Sequence, residues 1–327
     1  MSHLRLNLLT GRWVTIVSSR AKRPTDFAER KAQVESDPNL PCPFCPEAQV
    51  GVPPILERLD ADGHWHQRVI PNLYPAFDGH ESFAVHHRGP VHIEADASGT
   101  HEVFITSPKH TGRPEGDTAD DAIATMQMIK ERFTEHAQVP NIRYTQAIIN
   151  HGREAGASMS HPHGQILGLP FVPGELVDEQ RAFSRFEGGC ILCATAQAEL
   201  VDGVRVIAAN DDVVVVCPYW SETPYEVLII PRHHDLHLTD TSDQGVGAVG
   251  VAIRDAVNAL RAAHGDIAFN VVFHTAPHHY QGDYHWHVHL YPTLITTAGF
   301  ERGTGVMINI VAPEQAAETL RRVPVDA

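Results

Sequence analysis

Apolar positions along the chain fall into short alternating runs and a few longer helical ones. "EVFIT", "RYTQAII" and "QILGLPF" in the first half are β-branched or alternating stretches of strand length. "VVVVC", "EVLII", "AFNVVF" and "HVHLYP" do the same in the second half. "TADDAIATMQMIKERFTEHA" places apolar residues at Ile123, Met126, Ile129 and Phe133, three or four apart. That spacing predicts an amphipathic helix, with Thr118 or Asp120 as its N-cap. "TSDQGVGAVGVAIRDAVNALRAAHG" keeps the same period at Val251, Ile253, Val257 and Leu260, and Gly265 can end it. A third helix, "PEQAAETLRRV", has Pro313 at its first position. Strand runs with one long helix per half predict an α+β fold on a mostly antiparallel sheet.

The two halves read as one pattern written twice. Cys42-x-x-Cys45 is followed by "EVFITSPKH" ending at His110, a helix, the strand "IRYTQAIIN" and "GASMSHPHGQILGLP". Cys190-x-x-Cys193 is followed by "EVLIIPRHH" ending at His234, a helix, the strand "IAFNVVFH" and "DYHWHVHLYPTL". His110 and His161 are 51 residues apart, His234 and His287 are 53 apart, and Asn150 and Asn270 take matching places in their strands. A tandem duplication follows, with an N-terminal half over 1–180 and a C-terminal half over 181–327. The boundary is expected near 175–188, in "GELVDEQRAFSRFEGG".

Composition narrows the function. Of the 327 residues, 43% are hydrophobic and 20% charged, which is ordinary for a soluble globular protein. No apolar run has the ~18–20 residues of a membrane span, and the first residues lack a signal-peptide pattern, so a cytoplasmic protein with no membrane partner is expected. A net charge of −15 argues against nucleic acid as partner but leaves room for a small phosphorylated ligand. Within that acidic chain, "SSRAKRPTDF" sets Arg20, Lys22 and Arg23 close together, suited to phosphate oxygens or simply solvated.

The 23 histidines cluster with the cysteines. In a reducing compartment, C-x-x-C pairs are read as metal or redox sites before disulfides. "NLPCPFCPE" is too rich in proline to open a helix as a thioredoxin-type motif would. Zinc in structural sites takes four thiolate or imidazole ligands in a tetrahedron. Cys42, Cys45, His110 and His161 supply one set; Cys190, Cys193, His234 and His287 supply the second, with His233, His237, His285 and His289 competing for the histidine places. Four protein ligands leave no open position, so these sites are expected to pin loops.

If His161 faces a metal, His163 is expected to be left free of it. A neutral imidazole can attack phosphorus and carry a covalent intermediate. Gly164 would let the backbone approach a ligand, Gln165 can donate to a phosphoryl oxygen, and Ser158 lies in a small-residue turn suited to oxygen contacts. The plain alternative is a histidine-rich turn.

"HPHGQ" after "GASMS", together with "LNLLTGRWV", "SSRAKRP", "VIPNLYPAF" and "SPKH", resembles the galactose-1-phosphate uridylyltransferase family of the histidine-triad superfamily, over essentially the whole chain. The resemblance implies two histidine-triad-like halves and a homodimer. It implies ping-pong chemistry in which His163 takes the uridylyl group from UDP-glucose, releases glucose 1-phosphate, and passes the group to galactose 1-phosphate. Gln165, Ser158, Asn150, Arg20 and Arg23 match positions that contact phosphates, Asn72 matches one near the nucleotide, and Cys42, Cys45, His110 and His161 match a zinc site. Bacterial members often hold a second metal on one Glu and three His, and Glu179, His274, His287 and His289 sit at matching spacings. The Cys190 pair instead resembles a branch with a second zinc on two Cys and two His. That site is expected here and Glu179 is set aside, so two metals per chain are expected, zinc in both, with iron an alternative in the second. The tail "TTAGFERGTGVMIN" lacks the Lys-Phe and Tyr-Glu pairs that grip the hexose and resembles the ADP-glucose phosphorylase branch. An NDP-sugar phosphorylase using inorganic phosphate is therefore the first alternative, and a non-catalytic zinc-stabilised nucleotide-binding module the second.

Overall fold

A computed structural model describes residues 2–17 and 41–322. Its first half runs β1 (His3–Leu6), β2 (Trp13–Ile16), β3 (Leu56–Leu59), β4 (Trp65–Pro71), β5 (Val85–Arg88), β6 (His92–Ala95), β7 (Thr100–Ile105), α1 (Ala119–His136), β8 (Tyr144–His151) and β9 (His163–Leu169). Then come α2 (Gly174–Arg185), α3 (Ile191–Asp202), β10 (Val206–Ala209), β11 (Val213–Val216), β12 (Val227–Pro231) and α4 (Asp243–His264). The chain continues through β13 (Phe269–His274), β14 (His287–Pro292), α5 (Gly299–Thr304), β15 (Met307–Asn309) and α6 (Pro313–Arg321). Local signals set the main helices. Thr118, rather than Asp120, caps α1 in a reciprocal box with Asp121. The N–H of Gly265 closes α4 on the Arg261 carbonyl, and Pro313 opens α6.

Ten strands form one antiparallel sheet in the order β10-β11-β12-β14-β13-β8-β9-β7-β4-β3. Outward from the central β13–β8 pair, the two arms carry the same sequence of connections, as a duplicated α+β unit requires. Asn270 pairs with Asn150 at that seam. β1 and β2 form a small side sheet that β15 joins in parallel, bringing both ends of the described chain together.

The pleat sorts the residues. On one face Phe104, Ile149, Ile166, Val271, Phe273, Val288 and Leu290 pack with Met126, Ile129 and Phe133 of α1 and Ile253, Val257 and Leu260 of α4 in one buried core. The opposite face is chemically different: the registers place His101, Gln165, His163, Asn270, His274, His287 and His289 on it. The segment expected to link the halves is mostly the helix α2, which buries Leu176, Glu179 and Phe183.

Candidate functional site: three side-chain clusters and a fixed histidine

Cys42, Cys45, His110 and His161 converge with ligand atoms within 4.8 Å of one another. Cys45 Sγ lies 3.4 Å from His110 Nδ1 and 3.6 Å from His161 Nδ1, and Cys42 Sγ lies 3.7 Å from His161 Nδ1. Zinc–sulfur bonds of about 2.3 Å and zinc–nitrogen bonds of about 2.05 Å in a tetrahedron give a sulfur–nitrogen edge of about 3.6 Å. The four side chains therefore fit such an ion. Their outer nitrogens are tied as well: His161 Nε2 donates to the Ser107 carbonyl at 2.9 Å, and His110 Nε2 is 3.0 Å from Ser160 Oγ. Burial pushes the His161 imidazole down to about 4, so it presents a neutral ring.

The second cysteine pair gathers Cys190, Cys193, His234 and His285. Its sulfur–nitrogen separations are 3.4 Å for Cys190–His285, 3.4 Å for Cys193–His234 and 3.5 Å for Cys193–His285, and it meets the same test. Here the sequence expectation is corrected. His285, not His287, completes the set: His285 precedes β14, whereas His287 opens that strand and lies 3.7 Å from Glu179. The cue was in the spacing: His234 to His285 is 51 residues, the same as His110 to His161. Cys190 also caps α3, its Sγ accepting from the Cys193 N–H at 3.5 Å. This C-x-x-C does open a helix, unlike the proline-rich first one.

His287 belongs to a third cluster with Glu179, His274 and His289, all buried. Setting Glu179 aside in favour of the Cys190 pair is therefore corrected too: the two clusters coexist. Glu179 Oε1 accepts from His274 Nδ1 at 2.8 Å, and its other oxygen accepts from the Tyr284 hydroxyl. Burial alone would push the Glu179 carboxyl up, but the facing His274 and His287 rings hold it well below the usual range. His287 Nε2 and His289 Nδ1 are buried with no hydrogen-bond partner among the described residues. One carboxylate with three imidazoles and two orphaned ring nitrogens also fits a divalent cation.

His163 starts β9 on the sheet face opposite the helices. Its Nδ1 donates to the His161 carbonyl at 2.8 Å, which leaves the Nε2 lone pair free. Burial lowers its pKa, favouring the neutral ring. Phe44, from the first cysteine loop, packs on it with ring centroids 5.0 Å apart. Gln165 shares this face, half-buried, opposite Ile148. Asn150 lies two residues beyond Ile148 on β8, paired with Asn270, whose Nδ2 donates to the Asn150 oxygen at 2.7 Å. Asn72 is tied to the start of β7 by its backbone N–H on the His101 carbonyl, 2.9 Å. Ser158 is exposed on the β8–β9 loop. Arg20, Lys22 and Arg23 lie outside the described residues. Gly164 has a different reason from the one expected. A Cβ there would lie 2.1 Å from the Phe104 ring and 2.7 Å from the Ile148 carbonyl, on the helix side.

A duplicated α+β sheet, with a cysteine–histidine cluster in each half and one histidine presented by each, defines a two-halved histidine-rich class of protein. Within it, the chain belongs to the galactose-1-phosphate uridylyltransferase family. The profile described as "Galactose-1-phosphate uridyl transferase, N-terminal domain" matches residues 1–173, and its C-terminal counterpart matches 176–326. An ADP-glucose phosphorylase of Arabidopsis thaliana is 34% identical over 334 aligned residues, covering 98% of this chain and 92% of the relative. A galactose-1-phosphate uridylyltransferase of Haemophilus influenzae is 27% identical, covering 98% and 93%. The crystal structure of the Arabidopsis thaliana ADP-glucose phosphorylase with bound ADP-glucose superposes with a TM-score of 0.83 at 29% identity, covering 99% of this chain and 100% of that one.

Proposed function

We propose that the protein is a nucleotidyltransferase that works through a covalent nucleotidyl-His163. The observation that carries this reading is the tautomer: Nδ1–H is committed to the His161 carbonyl, so Nε2 can act only as acceptor or nucleophile. In the first step Nε2 attacks the α-phosphorus of a nucleoside-diphosphate sugar. The bond from that phosphorus to the bridging oxygen breaks, and sugar 1-phosphate departs with the electron pair. In the second step an acceptor oxygen attacks the same phosphorus and Nε2 leaves. Gln165 would donate to a non-bridging oxygen, and Asn150, Ser158, Asn72, Arg20 and Arg23 would hold the nucleotide and phosphates. With UDP-glucose as donor and galactose 1-phosphate as acceptor this is the uridylyltransferase reaction. A second reading, an ADP-glucose-type phosphorylase with inorganic phosphate as acceptor, is favoured by the 34% identity to the plant phosphorylase.

Zinc in the two cysteine clusters, and a divalent cation, zinc or iron, on Glu179, His274, His287 and His289, would act structurally. When bound, such ions hold the loops that carry the site. We place the protein in the cytoplasm as a homodimer. Exposed Leu73 (77%) and Tyr74 (88%), with Val91 and Ile93 on the β5–β6 pair, support a self-association surface.

The test is intact mass after incubation with UDP-glucose and ADP-glucose. An adduct of one nucleotidyl group is expected in the unaltered protein and none in His163→Gly. Discharge by galactose 1-phosphate identifies the transferase, and discharge by phosphate alone identifies the phosphorylase. No adduct from either donor would refute the reading and leave a nucleotide-binding module.

A further inference from the structure

The carboxamide of Gln165 is fixed by a residue the family resemblance did not bring forward. Its Oε1 lies 2.7 Å from His101 Nε2. On the other side of that ring, the backbone N–H of Ala76 donates to His101 Nδ1 at 3.0 Å. A backbone amide can only donate, so Nδ1 must be the acceptor and the ring proton must sit on Nε2. Nε2 then needs an acceptor, and Gln165 must present its oxygen to it. The choice between the two amide orientations, normally ambiguous, is settled by this chain of donors. Asn72 Nδ2 also stands 3.1 Å from Nε2. Its own oxygen accepts from the Tyr74 N–H at 2.9 Å, so it faces the ring with donors and makes a contact there rather than a bond.

We propose that His101 is a positioning residue: it locks the Gln165 oxygen inward and so turns the amide N–H groups toward the position in front of His163. Gln165 and His163 lie two residues apart on one strand and so share a face, and His101 projects from the neighbouring β7 onto that face. Without His101 the amide is free to turn its oxygen toward an anionic phosphoryl group, replacing attraction by repulsion. The segment 72–76 that aims His101 thereby sets the polarity of a side chain reached across β7. This inference rests on Gln165 acting as a phosphoryl donor, as proposed above.

The experiment is a double-mutant cycle read by the rate of nucleotidyl-His163 formation in a single turnover, with ADP-glucose and UDP-glucose at saturation. Removing one donor aimed at developing charge costs roughly 10²–10³ in rate. His101→Phe, which keeps the ring shape, should therefore slow adduct formation about 10- to 100-fold with little change in the donor concentration giving half-saturation. His101→Gln, whose amide can donate at the same reach, should recover most of the rate. In the Gln165→Ala background His101→Phe should add nothing further. His101→Asn, too short to reach Gln165, repeats the test should Phe fail to fold, and melting temperatures check each variant. An equal slowing with and without Gln165, or no slowing at all, overturns the inference. Gln165→Ala at the unaltered rate would overturn the donor role of Gln165 and this inference with it, while an adduct that still forms leaves the nucleotidyl-His163 reading standing.

Discussion

Gly164 and Glu102 show how single residues behind the reactive face hold it in place. A Cβ at Gly164 would press on Phe104 and on the Ile148 carbonyl. Gly164→Ala should thus cost about 1–3 kcal/mol through overpacking, seen as a lower urea midpoint with an unchanged slope. On β7, Glu102 accepts from Arg132 Nε at 2.8 Å and Nη2 at 2.7 Å, and faces His136 Nε2 at 3.0 Å. Burial would raise its carboxyl, but the His136 and Arg132 hydrogen bonds outweigh this and leave it lowered. The folded state then resists protonation while the unfolded chain accepts a proton in the ordinary carboxyl range. The contribution is present above that range and is lost as pH falls through the lowered folded value. Glu102→Gln should leave the buried Arg132 with only the exposed Glu135 carboxylate as partner, cost up to about 3–5 kcal/mol at neutral pH, and flatten the acid limb of a stability–pH curve. A parallel acid limb in that variant would contradict this assignment. At this scale the sequence already grouped His161 with Cys42, Cys45 and His110, because a cysteine pair followed by spaced histidines recurs in both halves. It did not separate His285 from His287, since two ligand sets drew on one "HWHVH" run. It misread Gly164, whose reason lies in Phe104 on the neighbouring strand β7.

Among elements, the contrast between the two cysteine knuckles is instructive. Cys42 and Cys45 sit in a turn, whereas Cys190 caps α3. The hydrogen bond between the two thiols holds Cys190 far below its usual range and pushes Cys193 up, so Cys190 is the first of the pair to become a thiolate. Cys190→Ser and His285→Ala should each remove about one zinc per chain by elemental analysis, while His287→Ala should leave that zinc in place. Loss of the same zinc in His287→Ala, with His285→Ala unaffected, would restore the original expectation. The long helices α1 and α4 and the strands β7, β8, β9, β11, β12, β13 and β14 were legible because their apolar period was clean. Four-residue strands such as "LERL", "VHHR" and "HIEA" were not, being short and charged. α2 was hidden for a related reason: its apolar face is only Leu176 and Phe183 around a buried carboxylate.

For the whole molecule, the β8–β13 seam governs. Four residue pairs, from Phe269–His151 to Val272–Ile148, join the halves through the middle of one sheet. Each half alone would expose a central strand edge, which no charge or bulge protects. Fragments 1–173 and 176–327 expressed together should therefore co-purify as one complex, and either alone should aggregate or self-associate on size exclusion. Independent, monodisperse halves would contradict this. Duplication and sheet type could be read from order and spacing, but the continuity of the sheet could not, since nothing local in β8 or β13 names its partner. The seam also gives the molecule an internal control of a kind few enzymes offer. His161 and His285 are counterparts, as are His163 and His287, whose Nδ1 groups each donate to the carbonyl two residues back. A lesion at His285 or His287 disturbs a ligand cluster without touching His163, so comparing each pair separates what the loss of a cluster does from what the loss of His163 does.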